Sequence, residues 1–102
     1  MQFLVLTTRK TDVYGPGDFA KKLPAEMARA RELYAEGFTR HIWHRLDERG
    51  VCQIVEAPDE RSAIDKINTL PFAQLGMLEV SIIPLQPYRG FLNEFQSPAI
   101  GR

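Results

Sequence analysis

Two helical stripes interleaved with four short β-rich runs constrain this chain more than any other feature. Phe3 to Thr7 is an apolar, β-rich run and predicts a buried strand. Pro24 to Glu36 predicts a helix, with Pro24 at its first position and Gly37 at its C-terminal cap. Leu23, Met27, Ala30 and Tyr34 fall on one face of it. Phe38 to Leu46 and Val51 to Glu56 predict a hairpin across the turn Asp47-Glu48-Arg49-Gly50. A second helix opens at Pro58 or Asp59, carries Ala63, Ile64, Ile67 and Leu70 as its stripe, and stops at Pro71. Leu78 to Leu85 predicts the last strand, with Pro84 suited to an edge or strand end. The order strand, helix, strand, strand, helix, strand is the split βαβ, ferredoxin-like α+β arrangement: a four-stranded antiparallel sheet with two helices on one face.

That arrangement leaves the other sheet face open, and Trp43, Ile54 and Val80 are too apolar to leave exposed there. The face therefore meets another subunit or lines a cavity. Arg9 to Phe19, with Gly15, Pro16 and Gly17, predicts a long loop of the kind that borders sites. Residues 1–85 form the predicted domain. Residues 86–102 form a C-terminal tail whose Tyr88, Phe91 and Phe95 suggest docking on a neighbouring subunit, a frayed end being the other reading.

Charge narrows the partners. Thirteen Lys+Arg balance thirteen Asp+Glu among 102 residues, so no global field draws in nucleic acid or an anionic membrane. No apolar stretch approaches the roughly 18 residues of a membrane span, and no signal-peptide pattern opens the chain. The expectation is a cytoplasmic protein without nucleic-acid or membrane partners. The single Cys52 forms no internal disulfide and no thiolate zinc site, and in a predicted strand it reads as a buried structural cysteine. His41 and His44, three apart on a strand, point to opposite faces and do not share a metal. Gly15-Pro16-Gly17 lacks the lysine of a phosphate loop, and no Gly-x-Ser-x-Gly elbow occurs. No metal and no cofactor are expected.

The segment Arg40-His41-Ile42-Trp43, followed by Leu70-Pro71-Phe72, Leu78-Glu79-Val80 and Pro84-Leu85, resembles the muconolactone isomerase family over residues 24–85 in order and spacing. The resemblance implies a ferredoxin-like subunit pairing sheet to sheet as a dimeric α+β barrel, a homodimer or higher homo-oligomer. It also implies a cofactor-free isomerisation of an unsaturated lactone or related small carboxylate, within aromatic-compound catabolism. Such chemistry needs a proton shuttle, a cation for the substrate carboxylate and a pocket with little water. Other activities of the same barrel, a cofactor-free monooxygenase or cyclase, and a non-catalytic small-ligand-binding role remain alternatives.

The resemblance carries roles onto named residues. Glu26 would be the proton shuttle, although a carboxylate in a first helical turn is also favoured by the dipole. His41 would be an acid/base or orienting group, or a hydrogen-bonded wall residue. Arg40 would bind the substrate carboxylate through its planar fork, or make an interface ion pair. Trp43 would be pocket wall or dimer core. Cys52 would contact substrate: Val51 and Cys52 stand where the family carries Asn and Tyr, which suits a more apolar ligand, and Met27 replaces a basic residue.

Overall fold

The computed structural model describes residues 1–91. The elements run β1 (Gln2–Arg9), α1 (Pro16–Ala35), β2 (Thr39–His44), β3 (Val51–Glu56), α2 (Glu60–Ile67), α3 (Pro71–Gln74) and β4 (Leu78–Leu85), with a 3-10 turn at Arg89–Phe91. The sheet order is β2-β3-β1-β4 and every pairing is antiparallel. This is the ferredoxin-like α+β fold. β2 and β4 are the edges, which is why Pro84, lacking an N–H, is tolerated in β4.

Strand alternation sorts residues between two faces. Phe3, Val5 and Thr7 of β1 pair in register with Val55 and Gln53 of β3 and with Pro84, Ile82 and Val80 of β4. These face the helices. The core gathers Phe3, Val5 and Val55, all fully buried, under Leu33 of α1 and Ala63 and Ile67 of α2. Leu4, Leu6, Cys52, Ile54 and Ile83 occupy the opposite, uncovered face. Trp43 pairs with Cys52 and belongs to that face, as expected. Val80 does not: it pairs with Thr7 and lies on the helix side beside Ile64 and Ile67.

α1 begins eight residues before the sequence expectation, so the predicted long loop closes by Gly15. Pro16, not Pro24, takes the first helical position, and the Gly15 N–H donates to the Asp18 carboxylate at 2.8 Å. Pro24 sits inside the helix. It leaves the Ala20 carbonyl without its intrahelical donor, but both residues are exposed, where water can supply one. The added turns bury Phe19 edge-on against Phe72, with ring centroids 5.3 Å apart. Burying such a ring contributes about 1.5–3 kcal/mol, which offsets the cost of the internal proline.

The extension also changes the inward face. Phe19 and Leu33 are buried, with Ala30 packed against the core. Tyr34 is 63 % exposed and leaves the expected Leu23–Tyr34 stripe, whereas Leu23, Met27 and Ala30 flank the sheet-facing side of the helix, Met27 remaining 46 % exposed. Spacings of seven place Glu26 between Phe19 and Leu33 on the inward side. At the far end Gly37 adopts φ 88° as the helix turns into β2, and the Phe38 N–H reaches back to the Leu33 carbonyl at 3.0 Å.

α2 is capped by Asp59, whose carboxylate accepts from the Ser62 N–H at 2.8 Å. Pro71 both follows that helix and opens the single-turn α3, so Leu70 caps a third helix instead of ending the second. Of the tail, Tyr88 and Phe91 pack edge-on at 5.0 Å, both exposed. Phe95 and the rest of 92–102 lie outside the described residues.

Candidate active site

Between α1 and the helix side of the sheet, near the C-terminal end of β1, lies a cavity of about 300 Å³. Its apolar wall includes Leu23, Met27, Ala30, Ile42 and Leu78. Its floor is polar. Thr7, Thr39 and Gln53 are nearly fully buried in an otherwise apolar interior. Thr39 Oγ1 donates to Gln53 Oε1 at 3.0 Å, and the Val51 N–H donates to Thr7 Oγ1 at 3.0 Å. Among the described residues no buried side-chain polar atom lacks a partner. The floor is thus internally satisfied and rigid.

A bulge in β2 makes this floor possible. Thr39 pairs with Val55 and His41 with Ile54, leaving Arg40 as the extra residue. Without it, Thr39 and Ile42 would fall on opposite faces. With it, both line the cavity, and Arg40 drops out of the alternation onto the exposed edge.

Glu26 enters from α1, half-buried. Its Oε1 accepts the Phe72 N–H, at the start of α3, at 2.8 Å. Burial pushes its pKa up, and the Phe72 N–H and the Arg9 charge oppose that shift without cancelling it. Asp18 is the acidic residue of the first turn, so the helix-dipole account of Glu26 no longer applies. Arg9 comes from the end of β1. Its guanidinium lies 4.7 Å from the Phe19 ring centroid and 5.3 Å from that of Phe72, an arrangement of cation over aromatic. Partial burial and the charge of Arg49 hold its pKa below the ordinary value.

The β2–β3 hairpin closes one side. Arg45 forks onto the Asp47 carboxylate at 3.0 and 2.7 Å and reaches the Thr8 hydroxyl at 3.1 Å. That ties the turn to β1. The backbone passes so close that a Cβ on Gly50 would stand 1.9 Å from the Thr7 carbonyl oxygen, so only glycine fits. The Arg9 N–H then donates to the Arg49 carbonyl at 2.7 Å, holding both arginines at the cavity.

The sequence matches the family described as muconolactone delta-isomerase over residues 1–90. The chain belongs to the muconolactone delta-isomerase family. A crystal structure of muconolactone isomerase is similar in fold, with a TM-score of 0.74, 19 % identity and coverage of 92 % of this chain and 97 % of that one. A 5-chloro-2-hydroxyhydroquinone dehydrochlorinase from Burkholderia phenoliruptrix AC1100, solved with 2,5-dihydroxybenzoquinone, is also similar: TM-score 0.68, 17 % identity, coverage of 88 % and 98 %. No curated protein sequence matches the chain significantly.

In this member of the muconolactone delta-isomerase family, the residues singled out from sequence divide. Glu26 lines the cavity. His41, Trp43 and Cys52 lie on the opposite, uncovered side of the sheet, where His41 and Trp43 stack with centroids 5.6 Å apart. Arg40 is exposed at the bulge. Within one chain, then, Glu26 and His41 do not share a site, because the sheet separates them. The histidine that lines the cavity is His44, and besides Arg45, which is paired with Asp47 and Glu48, the cations lining it are Arg9 and Arg49. Sequence reading passed over all three. Parity alone marked His44: it shares its face with Ile42, opposite His41. Among the described residues no group of three His, Cys, Asp or Glu is placed to hold a metal ion, and no helix is long and apolar enough to cross a membrane.

Chemically, the cavity offers one carboxylate with a raised pKa, held by one oxygen, across from cationic donors and above a polar floor. A carboxyl whose pKa lies nearer neutrality exchanges protons with a carbon acid more readily than an exposed one.

Proposed function

We propose that the protein is a cofactor-free isomerase of the muconolactone delta-isomerase type, moving a proton between two carbons of an unsaturated lactone or a related small carboxylate. Glu26 is the shuttle. It takes the proton from one carbon as the carboxylate and returns it to another carbon as the acid. One observation carries this reading: the half-buried Glu26 is anchored at a single oxygen by the Phe72 N–H inside the cavity. That anchor fixes the carboxyl while its ionisation stays adjustable. Family membership supplies the reaction class.

The same reading covers the uncovered sheet face. Trp43 is 54 % exposed and Ile83 42 %, beside Leu4, Leu6 and Ile54. Burial of that face against a second copy, closing a dimeric α+β barrel, removes this apolar area from water. His41, Trp43 and Cys52 then belong to the subunit interface, and the ligand stays on the helix side. A cytoplasmic role in aromatic-compound catabolism follows from the proposed reaction.

The test is incubation with muconolactone in heavy water, followed by NMR of the vinyl and methylene protons. Double-bond migration with deuterium uptake at the acidic carbon is the expected result, lost in Glu26→Gln. No exchange above the blank would remove this reaction from the reading and leave the fold untouched.

A further inference from the structure

Five arginines of the described chain bear on the cavity or its surroundings in different ways. Arg45 lines the cavity but is neutralised by Asp47 and Glu48, and Arg29, outside the cavity lining, is neutralised by Glu32. Arg40 is exposed at the bulge and does not line the cavity. Arg9 and Arg49 both line it, and among the described residues neither makes an ion pair within 4.0 Å. Their chain segments are bound to each other by the Arg9 N–H donating to the Arg49 carbonyl at 2.7 Å.

The Arg49 charge acts unfavourably on the Arg9 guanidinium, and a ligand anion held between the two would relieve that repulsion. Arg9 is moreover prepared for one. Its guanidinium rests on the rings of Phe19 and Phe72, which fix its position without using its N–H donors. No side-chain hydrogen bond from Arg9 occurs among the described residues, whereas Arg45 makes four. Charge over the cavity points the same way. Removing the mutually paired Arg45 and Glu48 leaves Arg9 and Arg49 against Glu26 alone.

We propose that Arg9 and Arg49 form a two-guanidinium clasp that holds the carboxylate of the cavity's ligand, the role sequence resemblance gave to Arg40. The planar forks suit a carboxylate, which each can meet through paired N–H donors. The clasp sets which molecules enter: small carboxylates are held, and neutral isosteres of the same shape are not. It also sets orientation. With the carboxylate at the Arg9–Arg49 end, the body of the ligand extends past Glu26 toward the Leu23–Met27–Ile42 wall. This proposal deepens the isomerase reading, since it names the residues that hold that substrate class in the same cavity.

The test is binding, not turnover. Benzoate and its neutral isostere benzamide are titrated into the 15N-labelled full chain by NMR, for the wild type, Arg9→Gln, Arg9→Lys, Arg49→Gln and Arg40→Gln. Benzoate is expected to saturate and to shift the amides of Thr7, Arg9 and Gly50. Arg9→Gln and Arg49→Gln should each weaken it by about tenfold or more, the usual size of a lost charge-assisted pair. Arg9→Lys should fall between, and Arg40→Gln should match the wild type. Benzamide should show no preference among them. Arg49 is exposed on a turn, so its variant folds even where Arg9→Gln does not. Unsaturable benzoate in the wild type, equal affinity in Arg49→Gln and the wild type, or an equal loss in Arg40→Gln would each overturn the clasp. Failure of the isomerase reading is separate: clasp-dependent binding without proton exchange removes only the reaction. Exchange that survives in both Gln variants removes only the clasp.

Discussion

The two faces of the sheet are built from alternate residues of the same four strands, yet they differ in kind. The helix side buries Phe3, Val5 and Val55 completely and sets Thr7, Thr39 and Gln53 as a hydrogen-bonded floor beneath Glu26. The uncovered side carries apolar residues in a row with no polar floor, and Trp43 and His41 stacked at its β2 edge. Buried polarity marks the face to which the proposed chemistry is assigned, because such groups cost stability unless they are paired. Exposed apolarity marks the face to which the proposed association is assigned. Predictions that discriminate the faces therefore pair one substitution on each side.

The largest contrast is in rate. Glu26→Gln keeps the size of the side chain and an oxygen to accept the Phe72 N–H, and removes only the proton-carrying group. Turnover of muconolactone should fall by about 10²–10⁴-fold, the usual contribution of a positioned acid/base. His41→Ala, on the other face, should leave turnover within a few-fold once the variant is shown to be as associated as the wild type. Initial rates at saturating substrate measure both. An equal loss in the two variants would return His41 to the site and break the division between faces.

Stability gives the next contrast. Phe3→Ala empties a fully buried position under Leu33 and Ile67, and should cost about 3–5 kcal/mol. Leu4→Ala, one residue along but on the uncovered side, is half-buried and should cost about 1 kcal/mol or less in a dissociated chain. Urea denaturation at low protein concentration separates the two. A similar loss for both would mean that the uncovered face is covered even in the single chain.

These pairs also show how much could be read from sequence. Element order and the antiparallel sheet follow from periodicity, because strands and helices print different spacings on the same apolar residues. The start of α1 does not. Gly15-Pro16-Gly17 has the composition of a turn, and only the burial of Phe19 against Phe72 pulls the helix back through it. That single displacement hid the inward position of Glu26, since a stripe counted from Leu23 runs along the flank of the helix and out to the exposed Tyr34, whereas one counted from Phe19 runs through Glu26 to Leu33. The bulge at Arg40 is equally silent in sequence: a one-residue insertion is fixed by pairing across to β3. Arg9 and Arg49 are far apart in sequence and meet only because Gly50 lets the hairpin turn press against β1.

A smaller effect belongs to association. Trp43→Glu places a charge in the middle of the proposed subunit interface, where loss of a buried tryptophan costs about 2 kcal/mol or more. Sedimentation equilibrium should show a dimer or larger assembly for the wild type and monomers for the variant at micromolar concentration, with benzoate affinity in the cavity retained. A wild type that sediments as a monomer would leave the apolar face without the partner proposed for it.

The smallest expected effect is the dependence of stability on pH, and it too has opposite signs in two regions. On the surface, Lys66 holds the Glu36 carboxyl low, Arg45 that of Asp47, the N-terminal ammonium that of Glu56, and the Ser62 N–H that of Asp59. A lowered folded pKa means stability that is present above the unfolded value and is lost as pH falls through the folded one, so acid should weaken the fold through these four. Glu26 runs the other way. Its raised folded pKa means the native state keeps a proton that the unfolded chain releases, so its contribution declines as pH rises from about 4.5 to the folded value. Glu26→Gln removes that decline. The variant should match the wild type in acid and become slightly more stable than it as pH rises toward neutrality, in melts run across that range. The same raised pKa should put the acid limb of the wild-type kcat/KM profile above the ordinary glutamate range. A more stable variant that is also inactive is the signature of a carboxylate kept in the cavity for chemistry, whereas a variant less stable at neutral pH would make Glu26 a structural partner of Arg9 and Phe72.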